Sequence, residues 1–273
     1  MIKGMNNMEF YKEKTLFLIE KHIGNITPNN EHFHDLFEFY YLKKGTATYL
    51  INDKIYNLTK GDIVVIPPNT LHKTISSSEG ERERILFYLD KNFIMSDLKE
   101  NLTFPTKPDI YHTDINPRIK TIFDDMLDEF STLNNHIYLN TLICELLILF
   151  QRANKSAEYR QKDNSSGIIS DVLSYITANF SDDLTLQKIA EHFFTNPSYL
   201  SRLFKQHTGF TFCSYLNNYR IQEANKFLSE TNKPITEIAL ECGFNSSNNF
   251  CKCYKKIMKI TPLTYRKHIT KNN

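Results

Sequence analysis

The apolar positions of the chain follow two different rhythms. Over the first hundred residues they come in short runs, Leu36–Leu42, Thr46–Ile51, Asp62–Ile66 and Ile85–Leu89, punctuated by Gly45, Asn52-Asp53, Gly61 and Pro67-Pro68. Runs of β-branched and aromatic residues bounded by turn formers predict strands, and their near-regular spacing predicts a sandwich or barrel. From Asn116 the rhythm changes. Ile119, Ile122, Phe123, Met126, Leu127 and Phe130 form one helical stripe, and Leu139, Leu142, Ile143, Leu146, Leu147 and Phe150 a second. The second helix also carries Ile137, Tyr138, Ile148 and Leu149 on other faces, so it is expected to be buried twice, against the barrel and against a partner subunit.

Residues 151–166 turn polar and end in Lys162-Asp163-Asn164-Ser165-Ser166-Gly167, the composition of a linker. Every segment beyond it reads as helix, with capping residues at Asp182-Asp183-Leu184-Thr185, an Asn196-Pro197 start and an Asn232-Lys233-Pro234 stop. This half contains a repeat with a period of about fifty residues: Ile189-Ala190 matches Ile238-Ala239, Phe204-Lys205 matches Tyr254-Lys255, Phe210-Thr211 matches Ile260-Thr261, and Tyr215 matches Tyr265. Each copy is a helix bearing Ile-Ala, a short turn (Phe193 to Asn196; Cys242 to Asn245) and a second helix ending in an aromatic-Lys pair. That arrangement lets the second helix enter a DNA major groove while the first braces it, although a bundle of protein-binding hairpins would share the pattern.

The second helices narrow the choice. In the first copy Ser198, Ser201, Arg202 and Lys205 are placed opposite Leu200, Leu203 and Phe204; in the second, Ser247, Asn248, Cys251, Lys252 and Lys255 are placed opposite Phe250, Cys253 and Tyr254. Small hydroxyls, an amide and cations suit base edges and phosphates, and acidic residues are absent from both faces. Charge agrees. The net value of +2 conceals 20 basic and 23 acidic side chains in residues 1–164, then 13 basic and 8 acidic after them, so only the second half has the sign of a polyanion binder.

Residues 168–268 resemble the DNA-binding domain of the AraC/XylS family of transcriptional regulators. The resemblance runs through Asp183-Leu184-Thr185-Leu186, Ile189-Ala190, Tyr199 to Lys205, Gly209, Tyr215, Arg220-Ile221, Ala224, Leu228, Ile235, Ile238-Ala239, Gly243-Phe244, Phe250, Tyr254-Lys255-Lys256, Thr261-Pro262 and Tyr265-Arg266. It implies two helix-turn-helix units joined by a long helix, about Phe212 to Ser229, with double-stranded promoter DNA as the partner. Two positions depart from the family. Lys259 stands where glycine is usual, which is expected to shift the end of that helix, and Cys251-Lys252-Cys253 replaces a segment that more often carries Ser/Thr and Arg.

In the first half, His32, His34 and Glu38 fall at even positions, on one face of a regular strand, and the segment Gly61 to His72 supplies a further imidazole. These resemble the two motifs of the cupin β-barrel, with Asn69 in place of the second glycine and the distal Asn missing. The resemblance implies an effector pocket lined by His32, His34, Glu38, Tyr40 and His72, with Tyr49 and Tyr56 nearby, suited to a sugar or another polar metabolite. The alternative is a cupin metalloenzyme, an oxygenase or isomerase, in which His32, His34, Glu38 and His72 hold iron, manganese or nickel. The regulator reading expects no enzymatic activity and no cofactor.

The expected fold is therefore α+β. A cupin-like effector-sensing barrel (1–115) precedes a helical dimerisation hairpin (116–153), a linker (154–167) and an all-α DNA-binding domain (168–273). Effector binding is expected to act through the linker and the helix at 137–153. A length of 273 suits two domains, and 41% hydrophobic with 23% charged residues excludes a mostly disordered chain. The longest apolar run, Leu142 to Phe150, contains Glu145 and falls short of a membrane span, and Met1 to Phe10 lacks the apolar core of a secretory signal. Five cysteines without zinc spacing read as reduced thiols. A cytoplasmic homodimer is expected, with RNA polymerase as a further partner if it activates.

Overall fold

The computed structural model describes residues 17–24, 34, 36–75, 81–153 and 167–272. The expectations for Met1 to Phe10, for His32 and for most of the linker at 154–167 lie outside the described residues.

Eight antiparallel strands, β1 (Phe17–Ile23), β2 (Phe37–Lys44), β3 (Ala47–Ile51), β4 (Lys54–Leu58), β5 (Asp62–Ile66), β6 (His72–Ile75), β7 (Glu83–Leu89) and β8 (Asp109–His112), make two sheets. The larger has the order β1-β7-β2-β5-β8 and the smaller β4-β3-β6. The apolar runs locate β2, β3, β5 and β7. Strands β4 and β6 escape the pattern because Lys54, Asn57, Lys73 and Thr74 break the apolar run that marks a half-buried strand.

Alternation assigns a job to each sheet face. Tyr40, Leu42, Tyr49, Ile51, Val64, Ile66 and Leu86 point between the sheets and fill the barrel. Phe37, Phe39, Tyr41, Ile63, Val65, Ile85 and Phe87 point the other way, onto α2 (Pro117–Ser131) and α3 (His136–Ala153). Phe39 stacks on Phe87 with ring centroids 4.0 Å apart, and Tyr41 meets Phe123 of α2 at 5.1 Å. Each such side chain contributes about 1.5–3 kcal/mol by leaving water. Before α2 lies one helical turn, α1 (Ser96–Lys99).

The remaining helices are α4 (Ile168–Ala178), α5 (Leu186–His192), α6 (Pro197–Thr208), α7 (Phe212–Glu230), α8 (Ile235–Glu241), α9 (Ser247–Met258) and α10 (Pro262–Asn272). They share one core, to which Ile189, Ala190, Leu200 and Phe204 of the first unit and Ile238, Ala239, Phe250 and Tyr254 of the second contribute equivalently. The repeat extends to the turns. Thr195 N donates to Ala190 O and Phe244 N to Ala239 O, both at 2.9 Å, around left-handed residues Phe194 (φ 50°) and Gly243 (φ 76°).

Lys259 does not shift its helix end. It takes the same left-handed conformation at the end of α9 (φ 62°) that Gly209 takes at the end of α6 (φ 71°), and its N–H donates to Lys255 O as that of Gly209 does to Lys205 O. A Cβ in that region costs about 1 kcal/mol. Lys259→Gly should therefore raise stability by about 1 kcal/mol, read as a higher urea midpoint of the full chain with unchanged slope.

Candidate functional site

The barrel interior centres on Glu38, which β2 places beside His72 of β6 and His34; Glu38 and His72 are both buried. Its Oε2 lies 3.0 Å from Nε2 of both His34 and His72, and its Oε1 accepts from the Tyr49 hydroxyl at 2.7 Å. The second nitrogen of each ring fixes the tautomer. Nδ1 of His34 faces Leu36 O at 2.9 Å and Nδ1 of His72 faces Thr70 O at 2.8 Å, and a carbonyl only accepts. Both Nδ1 atoms therefore carry hydrogen, and a hydrogen on Nε2 of His72, whose protonation Glu38 favours, donates to the carboxylate. Burial would by itself raise the Glu38 carboxyl, but the His72 charge and the imidazole hydrogen bonds outweigh it and hold Glu38 well below the carboxylate range. Burial would lower His72, and Glu38 raises it instead.

His34, Glu38 and His72 are also close enough to hold one divalent ion. Their donor types suit iron, manganese or zinc, and the backbone anchors on both Nδ1 atoms are those of metal-binding imidazoles. The set also closes without a metal, because His72 and Tyr49 donate to the carboxylate.

Of the other expected pocket residues, Tyr40 is buried inside the barrel with no hydrogen-bond partner for its hydroxyl among the described residues, and Tyr56 packs against the same interior cluster. Sequence reasoning did not reach Arg82, Arg84 and Tyr88. Register pairs Glu38 with Tyr88, Tyr40 with Leu86 and Leu42 with Arg84, so Arg84 and Tyr88 share the inner face. The signal was the alternation Glu81-Arg82-Glu83-Arg84, which puts arginines and glutamates on opposite sides of a strand.

In the helical half, Ser198, Ser201, Arg202 and Lys205 of α6 are exposed, as are Asn248, Lys252 and Lys255 of α9. Arg202, Lys205, Lys252 and Lys255 form no ion pair among the described residues. Ser247 and Cys251 are half-buried, and Cys251 leans on the core, so the second face is narrower than expected. All five cysteines are free, and burial pushes the Cys253 thiol up, away from redox reactivity.

A helix pair of this form, twice, beside an antiparallel barrel matches known families in both halves. Residues 17–147 match the family model described as AraC-like ligand binding domain, and residues 189–268 match that of the helix-turn-helix domain. The chain belongs to the AraC family of transcriptional regulators. Among relatives of this AraC-family regulator, the Melibiose operon regulatory protein of Escherichia coli is 26% identical over 277 residues, covering 95% of this chain and 90% of that protein. Regulatory protein PocR of Salmonella typhimurium is 37% identical over 101 residues, which are 37% of this chain and only 33% of PocR. The C-terminal domain of AraT, a response regulator from Geobacillus stearothermophilus, is 37% identical with a TM-score of 0.38, covering 38% of this chain and 88% of that one.

The two halves of the AraC-family chain meet along the outer face of the small sheet. Leu50 and Leu71 join the core of the helical half. Leu71 N donates to Gln222 Oε1 of α7 at 3.0 Å, Tyr215 OH to Asn52 O at 2.9 Å, and Lys73 Nζ to Gly209 O at 2.8 Å while lying 4.5 Å from the Phe210 ring centroid. Asn69 joins pocket to helix. Its N–H donates to His34 O at 2.9 Å, its Oδ1 accepts from Asn225 Nδ2 of α7 at 2.9 Å, and Asn225 Oδ1 accepts from Tyr254 OH of α9. Asparagine tolerates the left-handed φ of 59° there, and so does the work of a turn glycine while adding a side chain that reaches α7. A cavity of about 380 Å³ lies along this boundary, between Thr48, Asn57 and Ile75 of the sheet and Ile168, Leu203 and Gln206 of the helices, outside the barrel.

The pairing of Glu38 with two imidazoles makes a direct prediction. Glu38→Gln leaves buried positive charge uncompensated, so it should lower the stability of the full chain by about 3 kcal/mol, measured by chemical denaturation at pH 6.

Proposed function

We propose that this AraC-family regulator is a cytoplasmic homodimer that reads double-stranded promoter DNA with α6 and α9 and changes its grip when the barrel binds a sugar or another polar metabolite. The reading residues are Ser198, Ser201, Arg202 and Lys205 with Ser247, Asn248, Lys252 and Lys255; Cys251, half-buried, is left as a lesser contact. The effector is held around His34, Glu38, Tyr40 and His72. The observation that carries the sensing step is the hydrogen-bonded line from His34 through Asn69 and Asn225 to Tyr254, which begins at the pocket and ends in the second reading helix. A ligand that displaces either imidazole from Glu38 shifts the strand end where Leu71 and Lys73 meet the helical half. This differs from the expectation that the linker and the helix at 137–153 transmit the signal, since these hydrogen bonds cross from β6 and its preceding turn to α7.

A sugar is supported by the name of one relative, the Melibiose operon regulatory protein. Dimerisation is supported by α3, which buries Leu139, Leu142, Ile143 and Phe150 on the barrel while Ile137, Tyr138 and Ile148 stay exposed. If the regulator activates, RNA polymerase is its further partner. No helix among the described residues is long and apolar enough to cross a membrane, which agrees with the cytoplasmic assignment.

Two experiments test the reading. After selection of a preferred site from random duplexes, Arg202→Ala and Lys252→Ala should each weaken binding about tenfold or more in fluorescence anisotropy, with a salt slope lower by about 1 for a phosphate contact; unchanged affinity and slope for both would displace the reading helices. Asn69→Gly keeps the turn conformation and removes only the link to α7. Thermal stabilisation by an effective sugar, sought in a panel headed by melibiose, should survive in this variant while the sugar's effect on DNA affinity disappears. Stoichiometric iron or manganese that is lost in His72→Ala would favour the metalloenzyme reading instead.

A further inference from the structure

Arg82 is the largest of the fully buried side chains, 1% exposed, and none of its three guanidinium nitrogens has a hydrogen-bond partner among the described residues. This is costly. An unpaired buried charge is among the most unfavourable groups a fold can hold, and a guanidinium, unlike lysine or histidine, does not escape by shedding its proton. The barrel's buried carboxylates are committed elsewhere. Glu38 holds two imidazoles and Tyr49, and Asp62 accepts from the backbone and hydroxyl of Thr59. Close by is a second unsatisfied donor, the Tyr40 hydroxyl, on whose ionisation Arg82 and Arg84 both act. Arg84 is buried as well. Arg84 donates to Gly24 O at 3.3 Å, so the donors left without an acceptor are the Arg82 guanidinium and the Tyr40 hydroxyl.

We infer that the barrel's ligand carries an oxyanion, a carboxylate or a phosphate, which the Arg82 guanidinium and the Tyr40 hydroxyl bind together. A guanidinium presents parallel N–H donors that fit either group in a forked pair of hydrogen bonds, and the phenol supplies a further donor. This rests on the reading of the barrel as the sensor and narrows its ligand from any polar metabolite to an acidic one, a sugar acid or a sugar phosphate. The atoms are sealed from solvent, so loading a ligand there requires the barrel to open.

The test uses the full chain and three probes that share one hexose frame: glucose, glucuronate and glucose 6-phosphate. The thermal midpoint should rise by about 5 °C or more at saturation with one of the charged probes and not with glucose, and the responding probe tells carboxylate from phosphate. Arg82→Met should abolish that response and raise the midpoint of the unliganded protein, because it removes an uncompensated charge. Tyr40→Phe, which removes only an unsatisfied hydroxyl, should weaken the response at an unliganded midpoint no lower than that of the parent. A lower unliganded midpoint for Arg82→Met, no response to either charged probe, or a response to glucose that Arg82→Met retains would overturn the inference. The two readings fail separately: a glucose response that alters DNA affinity keeps the sensor and rejects the oxyanion, whereas an Arg82-dependent oxyanion response without effect on DNA affinity keeps the oxyanion and rejects the sensor.

Discussion

A β-strand is one residue thick, and the small sheet has different commitments on its two sides. In β3, Tyr49 points inward to Glu38, and the next residue, Leu50, points outward into the core of the helical half. The approach to β6 repeats the arrangement, with His72 bound to Glu38 between Leu71 and Lys73, which bind Gln222 and Gly209. No intervening layer absorbs a displacement. In the proposed sensor, a shift that relieves crowding in the pocket is carried to the helical half through the same backbone, and the reverse holds equally because coupling between two sites is reciprocal.

The Glu38 site adds a second constraint to this one. Charge that is buried and mutually satisfied holds a definite geometry, since each imidazole is fixed at one nitrogen by a carbonyl and at the other by the carboxylate. Such an arrangement contributes little net stability over an apolar core, but it offers a ligand hydroxyl or oxyanion partners that already point in a defined direction.

How much of this was legible in the sequence depended on the kind of signal. The repeat, the helix starts and the burial of Leu200, Phe204, Phe250 and Tyr254 could be read because helical periodicity and capping are local. The strands with alternating polar residues were missed, and with them the interface, because Lys73 and Asn69 look like ordinary surface residues until another part of the chain is placed against them. Glu38 and His72 were found by spacing, whereas Arg82 was not: arginines alternating with Glu81 and Glu83 look like an ordinary solvated strand edge until the arginines are found buried. At Lys259 the sequence suggests a moved helix end, but the backbone adopts the left-handed turn in spite of its Cβ.

The two turns at the heart of the duplicated units have taken different paths. At Gly243 a Cβ would come within 2.6 Å of Ser181 O, so that turn is locked to a single amino acid by its neighbour. Its counterpart Phe194 keeps the same backbone with its ring 98% exposed. The first turn is consequently open to substitution in a way the second is not. Of the two copies of the unit, one turn admits glycine alone, and the other carries a side chain that reaches open solvent, where it is available for contacts outside the fold.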